Sequence, residues 1–180
     1  IIPALRGPLR SRTIDDVVRE ARSLVRTGVR EINLLAQDTT AFGRDRPGRE
    51  RLADLLYALG EIEDLAWIRL LYAYPARFGD RLIRAIDGID RVCPYVDIPL
   101  QHVDDRVLRG MGRGTSESTV RGLVERMRGG IRDLALRTTL LVGFPGETDS
   151  AFQSLMDFVA QVRFGRLGHE VHEALEGAIG

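Results

Sequence analysis

The stretch LRTTLLVGF, Leu136–Phe144, is the strongest β-strand signal in the chain. It is a stretch of strand length that is rich in leucine and β-branched residues, and Pro145–Gly146 directly after it marks a turn. Apolar residues at three- and four-residue spacing then predict a helix: Phe152, Leu155, Met156, Phe158 and Val159. Strand, turn and helix form one βα unit, and the rest of the chain repeats it.

Three more strands are predicted upstream, each followed by a helix-like pattern. They are EINLLA at 31–36, WIRLLYAY at 67–74 and YVDIPL at 95–100. The helices are predicted at 14–25, around 52–59 and 82–86, and from about 104 to 127. Strands that alternate with helices over short connections require parallel strands and right-handed crossovers. The fold class is therefore α/β, either an open doubly wound sheet or part of a (β/α) barrel.

Both architectures place function at the carboxyl ends of the strands, and polar residues gather there. They are Gln37 and Asp38, Tyr72 and Tyr74, Gln101 and His102, and Gly143 and Glu147. Loop residues are commonly polar, so each one singly is also compatible with a plain connection. Four successive strands with polar groups at the same end favour a binding site.

Two of these strand ends allow two interpretations each. In VGFPGET, at 142–148, the glycines permit a close backbone approach and the following helix start offers free N–H donors. The same residues also suit a plain turn, with Glu147 capping the helix dipole. His102 has the chemistry of an acid–base group, but a role in orienting its loop by hydrogen bonding is favoured.

Composition excludes several functions. The 26 basic residues balance 26 acidic ones, so direct nucleic-acid binding is not supported. None of the basic residues is lysine, which excludes a Schiff-base lysine and a P-loop lysine. No apolar run approaches the roughly 20 residues of a membrane span. Cys93 is the one cysteine, so the chain forms no internal disulfide, which favours a cytoplasmic location. One cysteine also cannot provide the set of thiolates that binds a metal or an iron–sulfur cluster.

Five segments together resemble the radical-SAM methylthiotransferases. They are IIPALRGPLRSR at 1–12, INLLAQDTTAFG at 32–43, WIRLLYAYP at 67–75, YVDIPLQH at 95–102 and TTLLVGFPGET at 138–148. The resemblance runs from Ile1 to about Gly168. The branch that modifies a ribosomal protein is preferred over the transfer-RNA adenosine branch, which usually reads Gln-Asn-Val at 37–39 and Leu-Pro-Val-Gln-Ser where this chain has IPLQH.

The resemblance implies a partial (β/α) barrel of the radical-SAM type with its first strand missing. Residues 1–168 would form this partial core, and 169–180 a divergent or truncated C-terminal segment. That segment, HEVHEALEGAIG, reads more like a helix than a strand, which leaves the sixth barrel strand doubtful.

The resemblance also implies a function: addition of a methylthio group to an aspartate of a small-subunit ribosomal protein by radical S-adenosylmethionine chemistry. In the family, IIP directly follows a Cys-x-x-x-Cys-x-x-Cys loop that holds a four-iron, four-sulfur cluster. Those cysteines are not among the 180 residues, so the chain alone is expected to be inactive. The alternatives are a transfer-RNA adenosine methylthiotransferase and a cluster-free module that binds S-adenosylmethionine or protein.

By the same match, a set of strand-end residues would line the pocket for S-adenosylmethionine and substrate. The set comprises Gln37, Asp38, Tyr72, Gln101, Gly143, Pro145, Gly146 and Glu147. The match names no catalytic residue and no metal ligand within this chain.

Overall fold

A computed structural model describes residues 7–48 and 51–171, which contain five β-strands and six α-helices. The strands are β1 (Glu31–Leu34), β2 (Trp67–Leu70), β3 (Val92–Asp97), β4 (Ala135–Val142) and β5 (Arg166–Val171). The helices are α1 (Ile14–Arg26), α2 (Leu52–Gly60), α3 (Asp80–Gly88), α4 (Asp105–Gly110), α5 (Glu117–Gly130) and α6 (Asp149–Val162). Short 3-10 turns at Thr39–Ala41 and Pro75–Arg77 follow β1 and β2.

The strands form one parallel sheet in the order β1-β2-β3-β4-β5. A doubly wound sheet reverses its strand order at a switch point, whereas strands that follow one another in sequence belong to a barrel wall. Of the two architectures compatible with the sequence, the structure therefore has the partial barrel. Within residues 7–48 and 51–171, none of the helices is long and apolar enough to cross a membrane.

The two faces of the sheet differ in chemistry, because side chains alternate along each strand. One face is buried against the helices, with Ile68, Leu70, Val96, Leu136 and Leu140 in the hydrophobic core. The other face carries charged and polar residues joined across neighbouring strands. Arg69 Nε lies 2.8 Å from Glu31 Oε1, and Arg137 Nη1 lies 2.6 Å from the nearly buried Asp97 Oδ2. The polar face is the inner wall of the partial barrel.

The helix prediction for the C-terminal segment is wrong where the structure describes it. Residues 169–171 belong to β5, which pairs with β4 over six residues from Arg137↔Arg166 to Val142↔Val171. This backbone ladder outweighs the local helical preference of the sequence. The strand that the sequence left doubtful is thus present as β5, and residues 172–180 lie outside the described residues.

All four predicted strands differ in their bounds from the structure, and β2 and β3 differ most. The strand predicted at 67–74 ends at Leu70, because Tyr72 adopts a left-handed φ of 54° that interrupts extended backbone. The strand predicted at 95–100 begins earlier, at Val92, and ends at Asp97. Its continuation still touches β4 through an isolated bridge between Gln101 and Leu140, so the predicted site residue stays beside the sheet.

Candidate functional site

The loops that follow the first three strands lie side by side at the carboxyl edge of the sheet. The Thr39 N–H donates to the Tyr72 carbonyl at 3.1 Å, which joins the loops after β1 and β2. The Ala73 N–H donates to the Asp97 carbonyl at 2.8 Å, which joins the loop after β2 to β3. This bonding brings the first three predicted strand ends to one edge.

The loop after β1 contributes Gln37 and Asp38. Gln37 is exposed, whereas the Asp38 carboxylate is held by two partners. Arg77 Nη1 lies 2.5 Å from Asp38 Oδ2, and the Thr40 hydroxyl hydrogen bonds to Oδ1. Sequence reasoning missed Arg77; its signal was an arginine soon after Tyr74 at a predicted strand end. These contacts fix the position of the Asp38 carboxylate. The exposed side-chain amide of Gln37 is the group of this loop that is accessible to a ligand.

Tyr72 and Gln101 both have left-handed backbone, with φ of 54° and 71°. Such non-glycine conformations cost on the order of 1–3 kcal/mol and cluster at binding sites. The strain at Tyr72 presents a side chain that is 44% exposed. At Gln101 it allows the N–H to donate to the Thr139 carbonyl at 3.0 Å, while its carbonyl accepts from Leu141 at 2.8 Å. Both predicted residues are therefore held rigidly beside the sheet.

The turn after β4 is closed by Glu147. Gly143 and Gly146 have φ of 74° and 88°, which glycine adopts without a steric penalty. Glu147 Oε2 accepts from the N–H groups of Gly143 and Phe144 at 2.7 and 3.1 Å. These two turn N–H groups are thus committed to Glu147, and the cap of α6 comes from Thr148. Pro145 and Gly146 are exposed at the apex.

His102 is completely buried behind this turn. Its Nδ1 accepts a hydrogen bond from the Asp104 N–H at 3.0 Å, and Asp104 in turn caps α4. Its Nε2 lies 3.5 Å from Glu147 Oε1. The first contact matches the interpretation that His102 orients its loop. The second links the loops after β3 and β4.

A cleft of about 400 Å³ lies beside β1, between it and α1. Its lining is largely apolar, and of the predicted site residues only Asp38 reaches it. The other predicted residues lie outside this cleft, at the strand ends. The structure thus gathers the site along the carboxyl edge of the sheet and not within this cleft.

The described residues do not suit a metal or an iron–sulfur cluster. No group of three or more histidine, cysteine, aspartate or glutamate side chains among them is placed to hold a metal ion. Cys93 lies within β3, and its pKa is raised, chiefly by burial. A raised pKa disfavours the thiolate that a cluster needs.

Comparison with protein families identifies the class of protein. The model of the radical SAM superfamily matches residues 2–159. The chain therefore belongs to the radical SAM superfamily.

Curated relatives of known function narrow the comparison from the superfamily to one group of its enzymes. The chain is 51% identical over 177 residues to the ribosomal protein uS12 methylthiotransferase RimO of Geotalea uraniireducens, an alignment that covers 98% of this chain and 40% of the relative. It is 53% identical over 168 residues to the RimO protein of Syntrophotalea carbinolica, covering 93% of this chain and 37% of the relative. The chain thus spans about two fifths of the length of these relatives.

Solved structures support the fold. A radical S-adenosylmethionine methyltransferase, TsrM from Kitasatospora setae, matches with a TM-score of 0.69 at 17% identity, over 89% of this chain and 31% of that one. Coproporphyrinogen III oxidase (HemN) from Escherichia coli matches with a TM-score of 0.64 at 17% identity, over 90% and 38%. At these identities the likeness confirms the partial barrel alone.

Proposed function

We propose that this chain is the S-adenosylmethionine-binding barrel region of a methylthiotransferase that modifies an aspartate of ribosomal protein uS12. The observation that carries the proposal is identity of about one half to RimO proteins over nearly the whole chain. The geometry at the strand ends supports the proposal. Polar groups fixed by hydrogen bonds, and residues with left-handed backbone, lie at the carboxyl edge of the sheet, where barrels bind ligands.

S-Adenosylmethionine would lie along the carboxyl edge of the sheet. Gln37 and Tyr72 present exposed side chains there, and the turn at Gly143–Glu147 offers an exposed apex free of bulky side chains. Gln101, in the loop after β3, is held next to β4 by its backbone bridge to Leu140. Together with the cluster, the bound molecule supplies the radical that attacks an unactivated C–H bond. The residues of this chain bind and orient it.

The cluster thiolates have to come from elsewhere in the protein. A four-iron, four-sulfur cluster is held by cysteine thiolates, and Cys93 alone cannot provide the three that the family uses. The isolated 180-residue chain is accordingly proposed to be inactive, and the complete gene product active.

The proposed partner is a small-subunit ribosomal protein, and a ribosomal substrate places the reaction in the cytoplasm. The balanced charge of the chain, 26 basic against 26 acidic residues, provides no electrostatic surplus for holding nucleic acid. Recognition of uS12 is therefore proposed to depend on protein–protein contacts of the complete enzyme.

The test is mass analysis of uS12 and of transfer RNA from a bacterial strain that lacks its own methylthiotransferases and expresses the complete gene product. The proposal expects a methylthio group on an aspartate of uS12 and none on transfer-RNA adenosine. Modified adenosine alone would assign the protein to the transfer-RNA branch. Modification of neither substrate, with S-adenosylmethionine still bound, would favour a binding module.

A further inference from the structure

His102 connects two of the loops that form the candidate site. It belongs to the loop after β3, directly after Gln101, yet its ring reaches the turn after β4 through Glu147. Both side chains are shielded from solvent, with 0% of His102 and 7% of Glu147 exposed. A contact between two buried groups on different loops affects the position of both loops.

The hydrogen bonding fixes which ring nitrogen carries the proton. Nδ1 accepts from the Asp104 N–H, so a neutral imidazole carries its hydrogen on Nε2. Nε2 is a buried donor with no hydrogen-bond partner within residues 7–48 and 51–171. Glu147 Oε1 lies 3.5 Å from Nε2, slightly beyond the upper limit of about 3.2 Å for an N–H···O bond.

The other oxygen of Glu147 already holds the turn. Oε2 accepts from both Gly143 and Phe144, so any movement of the carboxylate towards His102 carries the turn with it. Hydrogen bonds in active sites are often long in the free protein and shorten when ligand binds. A small displacement of the turn is enough to satisfy the unpartnered Nε2–H.

We propose that His102 is a positioning residue for S-adenosylmethionine binding. When the ligand binds, the Nε2–H of His102 donates to Glu147 and thereby holds the Gly143–Glu147 turn in its binding shape. This inference rests on the proposed function, because it assigns that turn to the S-adenosylmethionine pocket. His102 acts through Glu147 and does not touch the ligand.

Two isosteric variants separate the two contacts of the ring. In His102→Gln the side-chain amide nitrogen reaches the place of Nε2 and donates to Glu147, but the acceptor at Nδ1 is lost. In His102→Asn the side-chain oxygen takes the place of Nδ1 and accepts from Asp104, but nothing reaches Glu147. Each variant is prepared in the complete gene product with its cluster reconstituted, and the dissociation constant of S-adenosylmethionine is measured.

We expect His102→Asn to bind S-adenosylmethionine about 10-fold or more weakly, since it loses one hydrogen bond to a charged group. We expect His102→Gln to stay within about threefold of wild type, because that bond is kept. With S-adenosylmethionine bound, amide exchange at Gly143 and Phe144 should be faster in His102→Asn than in wild type or His102→Gln, with Leu136 and Leu140 in β4 unchanged. If His102 had only a general structural role, the faster amide exchange would extend beyond the turn to residues of β4.

Equal binding by wild type and His102→Asn overturns the inference, and so does an equal loss in both variants. If His102→Asn does not fold, Glu147→Gln replaces it. Its amide oxygen can still accept from the turn, but its NH₂ group then faces the donor at Nε2, so a similar loss of binding is expected. A wild-type protein that does not bind S-adenosylmethionine contradicts the proposed function and this inference together. Normal binding by wild type, with variants that depart from the expected pattern, contradicts the inference alone.

Discussion

Thr138 is a fully buried polar residue in the centre of β4. Its hydroxyl donates to the Ile98 carbonyl at 2.9 Å and accepts from the Leu100 N–H at 3.2 Å. These residues lie just beyond the end of β3, where the regular ladder has stopped. The Thr138 side chain therefore takes the place of backbone pairing between β4 and the segment that leads to Gln101. It thereby helps to hold Gln101 at the candidate site.

Replacement of Thr138 by valine should destabilise the protein by about 1–3 kcal/mol, the cost of leaving buried polar groups without partners. The free energy of unfolding is measured by urea titration. Thr139→Val is the matched control, because Thr139 is half-buried and points to the opposite face of the strand. Equal stability of Thr138→Val and wild type would contradict this account of the β3–β4 connection.

Cys93 should react slowly with alkylating reagents in the native protein. Burial raises the pKa of its thiol, and Arg69 only partly opposes this. The thiolate is the reactive form, so the rate should rise with pH, with a midpoint above that of the thiol in the unfolded chain. Iodoacetamide labelling followed by peptide mapping gives this midpoint for Cys93 itself. A native midpoint at or below the unfolded one would show that the thiol is not shielded.

Sequence reasoning singled out those candidate site residues that have a chemical or conformational signature. Gly143 and Gly146 stand out as glycines beside a proline, and their left-handed φ values agree with that signal. The strained backbone at Tyr72 and Gln101 has no such signature, because neither residue type favours positive φ. Likewise, the link from His102 to Glu147 joins residues 45 positions apart and depends on the packing of two loops.

At the scale of elements, α5 packs against α3 at a glycine. A β-carbon on Gly130, the last residue of α5, would lie 2.5 Å from Cγ2 of the buried Ile83 in α3. A β-carbon on the adjacent Gly129 would meet nothing within 4 Å. The two glycines lie at the same end of α5, but only Gly130 faces another side chain. Gly129 is therefore a matched control for a substitution at Gly130.

Gly130→Ala should cost about 1–3 kcal/mol, because the β-branched Ile83 cannot move aside without strain. Gly129→Ala should be neutral or stabilise by up to about 1 kcal/mol, since alanine is the better helix residue. Thermal unfolding midpoints of both variants and wild type measure the difference. A Gly130→Ala protein as stable as Gly129→Ala would mean that the helices do not pack as described.

The contrast between β4 and β5 shows what the sequence can predict about elements. β4, ALRTTLLV, is rich in leucine and β-branched residues over eight positions, and such a stretch is recognisable without knowing its neighbours. The segment of β5, RLGHEV, contains a glycine and three charged or titratable residues. Its strand conformation comes from pairing with β4 at six positions. A strand defined by its partner is not visible in local sequence.

At the scale of the whole molecule, alternation of strands and helices predicted parallel pairing and one functional edge. It did not distinguish a doubly wound sheet from a barrel, because both have the same βα repeat. The sequential strand order resolves this, and the polar face with its Arg69–Glu31 and Arg137–Asp97 pairs agrees with the inner wall of a barrel.

The most direct test of the account is formation of 5′-deoxyadenosine from S-adenosylmethionine under anaerobic, reducing conditions. The complete gene product, with its cluster reconstituted, and the isolated 180-residue chain are assayed side by side. The account predicts 5′-deoxyadenosine from the complete product and none from the chain, whose single cysteine cannot hold the cluster. No product from the complete protein, or product from the isolated chain, would contradict it.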